Sequence, residues 1–227
     1  MPDDSAAYIA FQLGPLPISH TVLTTWGIVF FFSLVAWLMR QSPKLENIGE
    51  IVVVAIEGAI SEVLPAASVH RVLPFVGTLW LFLLIANLTG LIPEMHAPTR
   101  DISATAALAV LVFGSTHWFG IRGRGLSNHL RHYLQPSIIL LPFHIVSEFT
   151  RTLALAIRLF GNIMSLEMAA TLVLLIAGFL APVPLLMLHV LESLVQAYIF
   201  GMLALIYIAG ALEANSSEIS IEPQENL

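Results

Sequence analysis

Cysteine is absent from the 227 residues. This excludes a disulfide framework, iron–sulfur ligation and thiolate metal sites. Charge is scarce: 11% of residues are Asp, Glu, Lys or Arg, against about 25% in a typical soluble domain. Only nine residues are Lys or Arg, and they keep mostly to certain loops. The net charge of −6 reflects an acidic tail, so nothing predicts a nucleic-acid partner. Neither H-E-x-x-H nor G-x-S-x-G occurs, which removes two hydrolase signatures. No internal similarity relates the two halves, which weighs against a transporter built from repeats. The first 19 residues carry Asp3 and Asp4 and no early basic region, so a cleavable signal peptide is not expected. A separate soluble catalytic domain has no room in this length.

Apolar sequence fills the space that charge leaves. At 57% hydrophobic residues and a mean hydropathy of +0.87, the expected fold is an all-α, polytopic membrane protein. The reading gives one membrane domain of about five crossing helices plus one interfacial amphipathic helix. Residues 1–19 are a proline-marked outer lead-in, and 20–40 form the first span, closed by Arg40 and Lys44. Over 45–70, Ile48, Ile51, Val52, Ala55, Ile56, Ala59, Ile60 and Val63 recur at helical spacing opposite Glu46, Glu50, Glu57 and Ser61. That pattern predicts a helix lying on the cytoplasmic membrane surface, with a shorter span over 51–67 as the competing reading. Spans follow at 75–93 and 102–121, the first with a polar interruption at Asn87-Leu88-Thr89-Gly90. Residues 136–181 and 185–212 make a slanted hairpin, and 213–227 an acidic, disordered cytoplasmic tail.

Six of the nine bases (Arg40, Lys44, Arg71, Arg122, Arg124 and Arg131) fall on one side of this topology, with Arg100 alone on the other. The positive-inside rule then puts the N-terminus outside and the C-terminus in the cytoplasm.

The stretch 136–181 carries the most information. As continuous helix its 46 residues would span about 70 Å, against a hydrocarbon core of about 30 Å. It must slant strongly, break, or cross twice. Within it stand Glu148, Arg151, Arg158, Asn162 and Glu167. Arg158 is too far from either end to snorkel, and no acid lies three or four residues away on its own helix. A guanidinium at membrane depth costs about 2.5–3.5 kcal/mol on insertion scales. Its charge therefore needs a use.

At 100° per residue, Ser147, Arg151, Arg158 and Ser165 share one stripe, with Asn162 close by. The next apolar helix has its own stripe, His189, Glu192, Ser193 and Gln196. Two such stripes on successive helices can oppose each other, as an intramembrane proton or ion path requires. Glu167, His189 and Glu192 can hold and release protons, while Asn162 and Gln196 offer neutral donors and acceptors. The bland alternatives are hydrogen bonds between neighbouring helices for His189 and Gln196, a structural pair for Glu148 and Arg151, and packing for Met164, Met168 and Met187. A b-type haem would need paired histidines at one depth, with His117, His144 and His189 as candidates.

Arg158-Leu159-Phe160-Gly161-Asn162 followed by Glu167 resembles the signature of the a subunit in the membrane (Fo) sector of rotary F-type ATP synthases. His189 followed by Gln196-Ala197-Tyr198-Ile199-Phe200 is similar to that family's final helix, and LFLLIANLTGLIP, ending at Pro93, to a third block. The three motifs stand in the family's order and cover most of 75–210. The resemblance implies two long slanted helices curved against a rotating c-subunit ring, with Arg158 facing the ring's carboxylate. It implies two half-channels, an ion path through Asn162, Glu167, His189, Glu192 and Gln196, and no active site or cofactor of the chain's own. Its implied partners are the c-ring, peripheral-stalk b subunits and other ATP synthase subunits, in a bacterial inner membrane. Levelling Arg158 with Gln196 puts the hairpin turn near 177–178, while the prolines put it nearer 183. The chain is short and reads Ile-Met-Ser-Leu at 163–166, which is similar to the shorter alternative-operon branch and leaves H⁺ and Na⁺ both open. A stand-alone secondary ion transporter is the competing function.

Overall fold

A computed structural model describes residues 9–13, 16–92, 95, 97–124, 141–178, 181 and 183–213. Its helices are α1 (His20–Met39), α2 (Pro43–Ser61), α3 (Ala66–Leu88), α4 (Ile102–Arg124), α5 (Leu141–Ala177) and α6 (Val183–Glu213). Five of them are long and apolar enough to cross a membrane, and the protein is an all-α polytopic membrane protein. The tail 214–227, Arg131 and the start of the long stretch at 136–140 lie outside the described residues, as does the side chain of His144.

The lead-in holds the only strands among the described residues. Ile9–Leu13 (β1) and Leu16–Ser19 (β2) pair antiparallel, with Leu13 opposite Leu16. Pro15 and Pro17 obscure this hairpin in the sequence, since proline normally argues against a strand. Ser19 then caps α1, its hydroxyl accepting the Val22 N–H at 3.4 Å.

α1 is apolar on every side and largely uncovered, with Trp26, Phe30 and Trp37 exposed, as suits a helix solvated by lipid. α2 begins with Pro43 in its first turn, where a missing N–H costs nothing. It ends at Ser61, well short of residue 70, because Pro65 cannot continue it and instead precedes α3. The amphipathic segment and the following span thus meet at 62–65 rather than near 71–74. Ile56, Ala59 and Ile60 pack against Val69, Val72 and Val76 of α3, whereas Ile48 and Ile51 remain exposed.

The core joins α3, α4, α5 and α6. Leu79 and Leu83, Ala109 and Val112, Leu155, Ala156 and Leu159, and Ala197, Phe200 and Ala204 form one buried cluster. Alanines on three of the helices let the backbones approach closely, which matters where no hydrophobic effect presses helices together. α5 and α6 contain apolar stretches of 32 and 30 residues. At about 1.5 Å per residue each exceeds the hydrocarbon thickness by about half, so both must tilt or protrude. Between them Gly178 has φ 86°, a conformation that favours glycine.

Trp80 pins α3 to α6. Its indole N–H donates to the Tyr198 carbonyl at 3.3 Å, and its ring stacks on Tyr198 at 5.9 Å and 11°. A β-carbon on Gly201 would collide with that indole, whereas one on Gly58 would meet nothing within 4 Å. Gly201→Ala is therefore expected to destabilise the fold by about 1–3 kcal/mol through overpacking. Gly58→Ala should be neutral or stabilising by up to about 1 kcal/mol, because its helix gains a better former. Thermal unfolding of the two variants in detergent distinguishes them.

Candidate functional site

α5 presents its ionisable stripe outward. Ser147, Arg151, Arg158 and Ser165 are exposed, with Met168 and Leu172 exposed beside them. The two polar stripes therefore do not face each other along their length. Inward packing of Leu155, Ala156, Leu159 and Ile163 against the bundle rotates the charged side away from it. Arg158 has no hydrogen-bond or ion-pair partner among the described residues.

Asn162 lies at the edge of that stripe, half-buried, and turns toward α6. Its amide donates to Gln196 Oε1 at 2.7 Å, the one direct bond among the expected path residues. Midway between the two in sequence lies residue 179, next to Gly178, so the hairpin register sits between the two values expected from motif alignment and from the prolines. Gln196, Ser193 and His189 form one buried face of α6. Glu192, flanking that face, is half-buried.

That buried face meets α3 rather than Glu167. His189 Nε2–H donates to the Asn87 carbonyl at 3.3 Å, an acceptor that fixes the proton on Nε2. A β-carbon on Gly90 would press on the Ala97 β-carbon at 3.2 Å and lie in ordinary contact with the imidazole at 3.5 Å. The Asn87 side-chain oxygen accepts from Thr99 at 2.9 Å, and both residues are fully buried. Asn87 Nδ2, Ser193 Oγ and Gln196 Nε2 are buried with no partner among the described residues. Buried polar atoms are normally paired, so three on one seam set it apart from the apolar packing around it.

Glu167 is engaged elsewhere. Its Oε1 lies 2.5 Å from Arg100, on the short 3₁₀ turn Pro98–Arg100 ahead of α4. Asp101, next in sequence, accepts from Thr21 of α1 at 3.1 Å and caps α4 through Ser103 N–H at 2.9 Å. Residues 97–101 thus tie together α1, α3, α4 and α5. In the sequence these residues read only as the short connection between two spans, with Arg100 the one base on its side. The polar break at Asn87–Gly90 was the available signal for Asn87, whereas Thr99 and Arg100 gave none.

At the opposite end of the bundle, Glu148 faces His117 of α4 at 3.5 Å instead of Arg151. Arg151 lies over the Tyr207 ring at 4.7 Å. The expected Glu148–Arg151 pair is replaced because α4 and α6 offer each group a partner across the bundle. Both residues line a small cavity of about 20 Å³ with Thr116, Thr152 and Tyr207, enough for about one water. The described residues contain no group of three His, Asp or Glu able to hold a metal. His189 stands against Asn87 of α3 and His117 faces Glu148 at the opposite end of the bundle.

Fold and site together define a polytopic helical membrane protein whose last hairpin carries ionisable and amide side chains through its apolar length. The chain belongs to the ATP synthase A chain family, whose model matches residues 19–209. It is 59% identical over 220 residues to ATP synthase subunit a 2 of Pelobacter propionicus, covering 95% of this chain and 96% of that one. ATP synthase subunit a 1 of Hahella chejuensis is 56% identical over 94% of this chain and 92% of its own. ATP synthase subunit a of Legionella pneumophila is 52% identical over 92% and 93%.

The Asn162–Gln196 bond gives a direct test of the hairpin contact. Gln196→Leu should cost about 1–3 kcal/mol by leaving the Asn162 amide unmatched. Adding Asn162→Leu should return much of that loss, read as a double-mutant cycle of thermal stability in detergent.

Proposed function

We propose that this chain is the stationary ion-channel subunit of an F-type ATP synthase, passing H⁺ or Na⁺ to and from a rotating c-subunit ring. The observation that carries the reading is Arg158, exposed and without a partner among the described residues, midway along a largely apolar helix of membrane length. A cation placed there is stabilised by an opposite charge, which a neighbouring subunit can bring to it. A carboxylate carried past on a ring supplies it. Within about 4–6 Å a guanidinium favours the ionised carboxylate by about 1–3 pKa units, so an arriving loaded carboxyl gives up its ion beside Arg158. The same fixed positive charge repels a cation moving straight from one side to the other. Ions must therefore leave on one side and enter on the other, which couples flow to rotation.

Two half-channels flank that point. The outer one runs by Glu167, His189, Glu192, Gln196 and Asn162. Its buried amide, hydroxyl and imidazole groups can relay a proton or shed an ion's water stepwise. The inner one opens near Glu148, Arg151 and Thr116, where the small cavity lies. With six bases on one side, the N-terminus faces out and the C-terminus the cytoplasm of a bacterial inner membrane. On this topology α2 lies along the cytoplasmic surface. Partners are the other ATP synthase subunits: the c-ring against the exposed side of α5, and the peripheral-stalk b subunits elsewhere on the bundle. A stand-alone transporter is disfavoured by the family to which the chain belongs.

Arg158→Ala should abolish ATP-driven ion uptake by inverted membrane vesicles while the complex still assembles. Assembly is measured on the same membranes. Normal uptake would refute the ring-facing role. Running the wild type with and without Na⁺, and with a protonophore, identifies the ion.

A further inference from the structure

Arg100 is a charged side chain whose placement the proposed path does not use. It differs from a surface arginine in how firmly its backbone is held. Ala97, Pro98 and Thr99, just before it, are buried. Thr99 is hydrogen-bonded to Asn87, which also receives His189 through its carbonyl. On the other side, Asp101 caps α4 and is bonded by Thr21. The Arg100 N–H donates to the Ala97 carbonyl at 3.0 Å, and that of Asp101 to the Pro98 carbonyl at 3.2 Å, closing the turn. The turn therefore delivers the guanidinium to one place, and Glu167 Oε1 is there at 2.5 Å.

We propose that Arg100 is a positioning residue for ion passage, clamping the Glu167 carboxylate at the outer end of the path and fixing it relative to the Asn87–His189 contact. The inference rests on the proposed function, because Glu167 is taken as part of the outer half-channel. Chemically, the guanidinium occupies one carboxylate oxygen and fixes the direction of the other. An unclamped Glu167, half-buried on α5, would sample several rotamers, and transfer to or from it would depend on a rare one. The strap carries this constraint to His189 through Asn87, so the two ionisable groups keep a fixed relation although no hydrogen bond joins them.

The test uses the whole ATP synthase in inverted vesicles, with pumping expressed per assembled complex and compared among wild type, Arg100→Lys, Arg100→Gln and Glu167→Gln. A role only in folding would lower the amount of complex and leave the rate per complex unchanged. The clamp predicts a rate per complex reduced about tenfold in Arg100→Gln, the size of one charge-assisted hydrogen bond. Arg100→Lys should fall between that and the wild type. Glu167→Gln should be impaired at least as much as Arg100→Gln. A wild-type rate per complex in Arg100→Gln overturns the proposal, as does an unimpaired Glu167→Gln beside an impaired Arg100→Gln. Should Arg100→Gln yield no complex, a wild-type rate in Arg100→Lys overturns it equally. Normal pumping by Arg158→Ala instead removes the functional reading on which this inference rests, so the two failures are distinguishable.

Discussion

An uncompensated guanidinium at membrane depth is the constraint around which this chain is arranged. Nothing among the described residues neutralises Arg158, and the helix that carries it turns its apolar side inward and its charged side out. Burying Arg158 in the bundle would have demanded an internal acid and made the pair a structural feature. Leaving it outside keeps its charge available to a visiting group. The packing of Leu155, Leu159 and Ile163 into the core sets that orientation, so ordinary hydrophobic packing determines where the unusual charge points.

The second organising feature is the way polar side chains are supported. His189 and Gln196 are held by α3 and α5, not by each other or by the ionisable groups nearest in motif order. Asn87 is the junction: its carbonyl serves His189 and its side chain serves Thr99. The strap at 97–101 then reaches Glu167. A seam of polar atoms inside an apolar bundle is costly unless each group is placed, and here the placing comes from a short turn between two spans.

The five long apolar helices were legible because membrane helices announce themselves by length and hydropathy, and Arg158 stood out because charge is so rare there. What failed to show were the contacts between elements. The spacing of Glu148 and Arg151 suggested a pair within one helix, but His117 and Tyr207, from helices distant in sequence, engage them instead. The stripe on α5 was correctly collected on one side, yet helical periodicity cannot say which way that side faces. Arg100 read as a loop charge because its meaning depends on Glu167, 67 residues later. The end of α2 was misplaced because apolar periodicity runs on past Pro65, whose backbone effect the pattern does not register.

The contact between Trp80 and Gly201 has a mechanical consequence. An indole seated where another residue would carry a side chain works like a key in a keyway. α6 can neither roll about its long axis nor slide along α3 without expelling the ring and breaking its bond to the Tyr198 carbonyl. On the proposed function, a stator loaded sideways by a turning rotor must resist torque at the helices nearest the rotor. This one wedge of aromatic against bare backbone gives the final helix that stiffness without spending a charge.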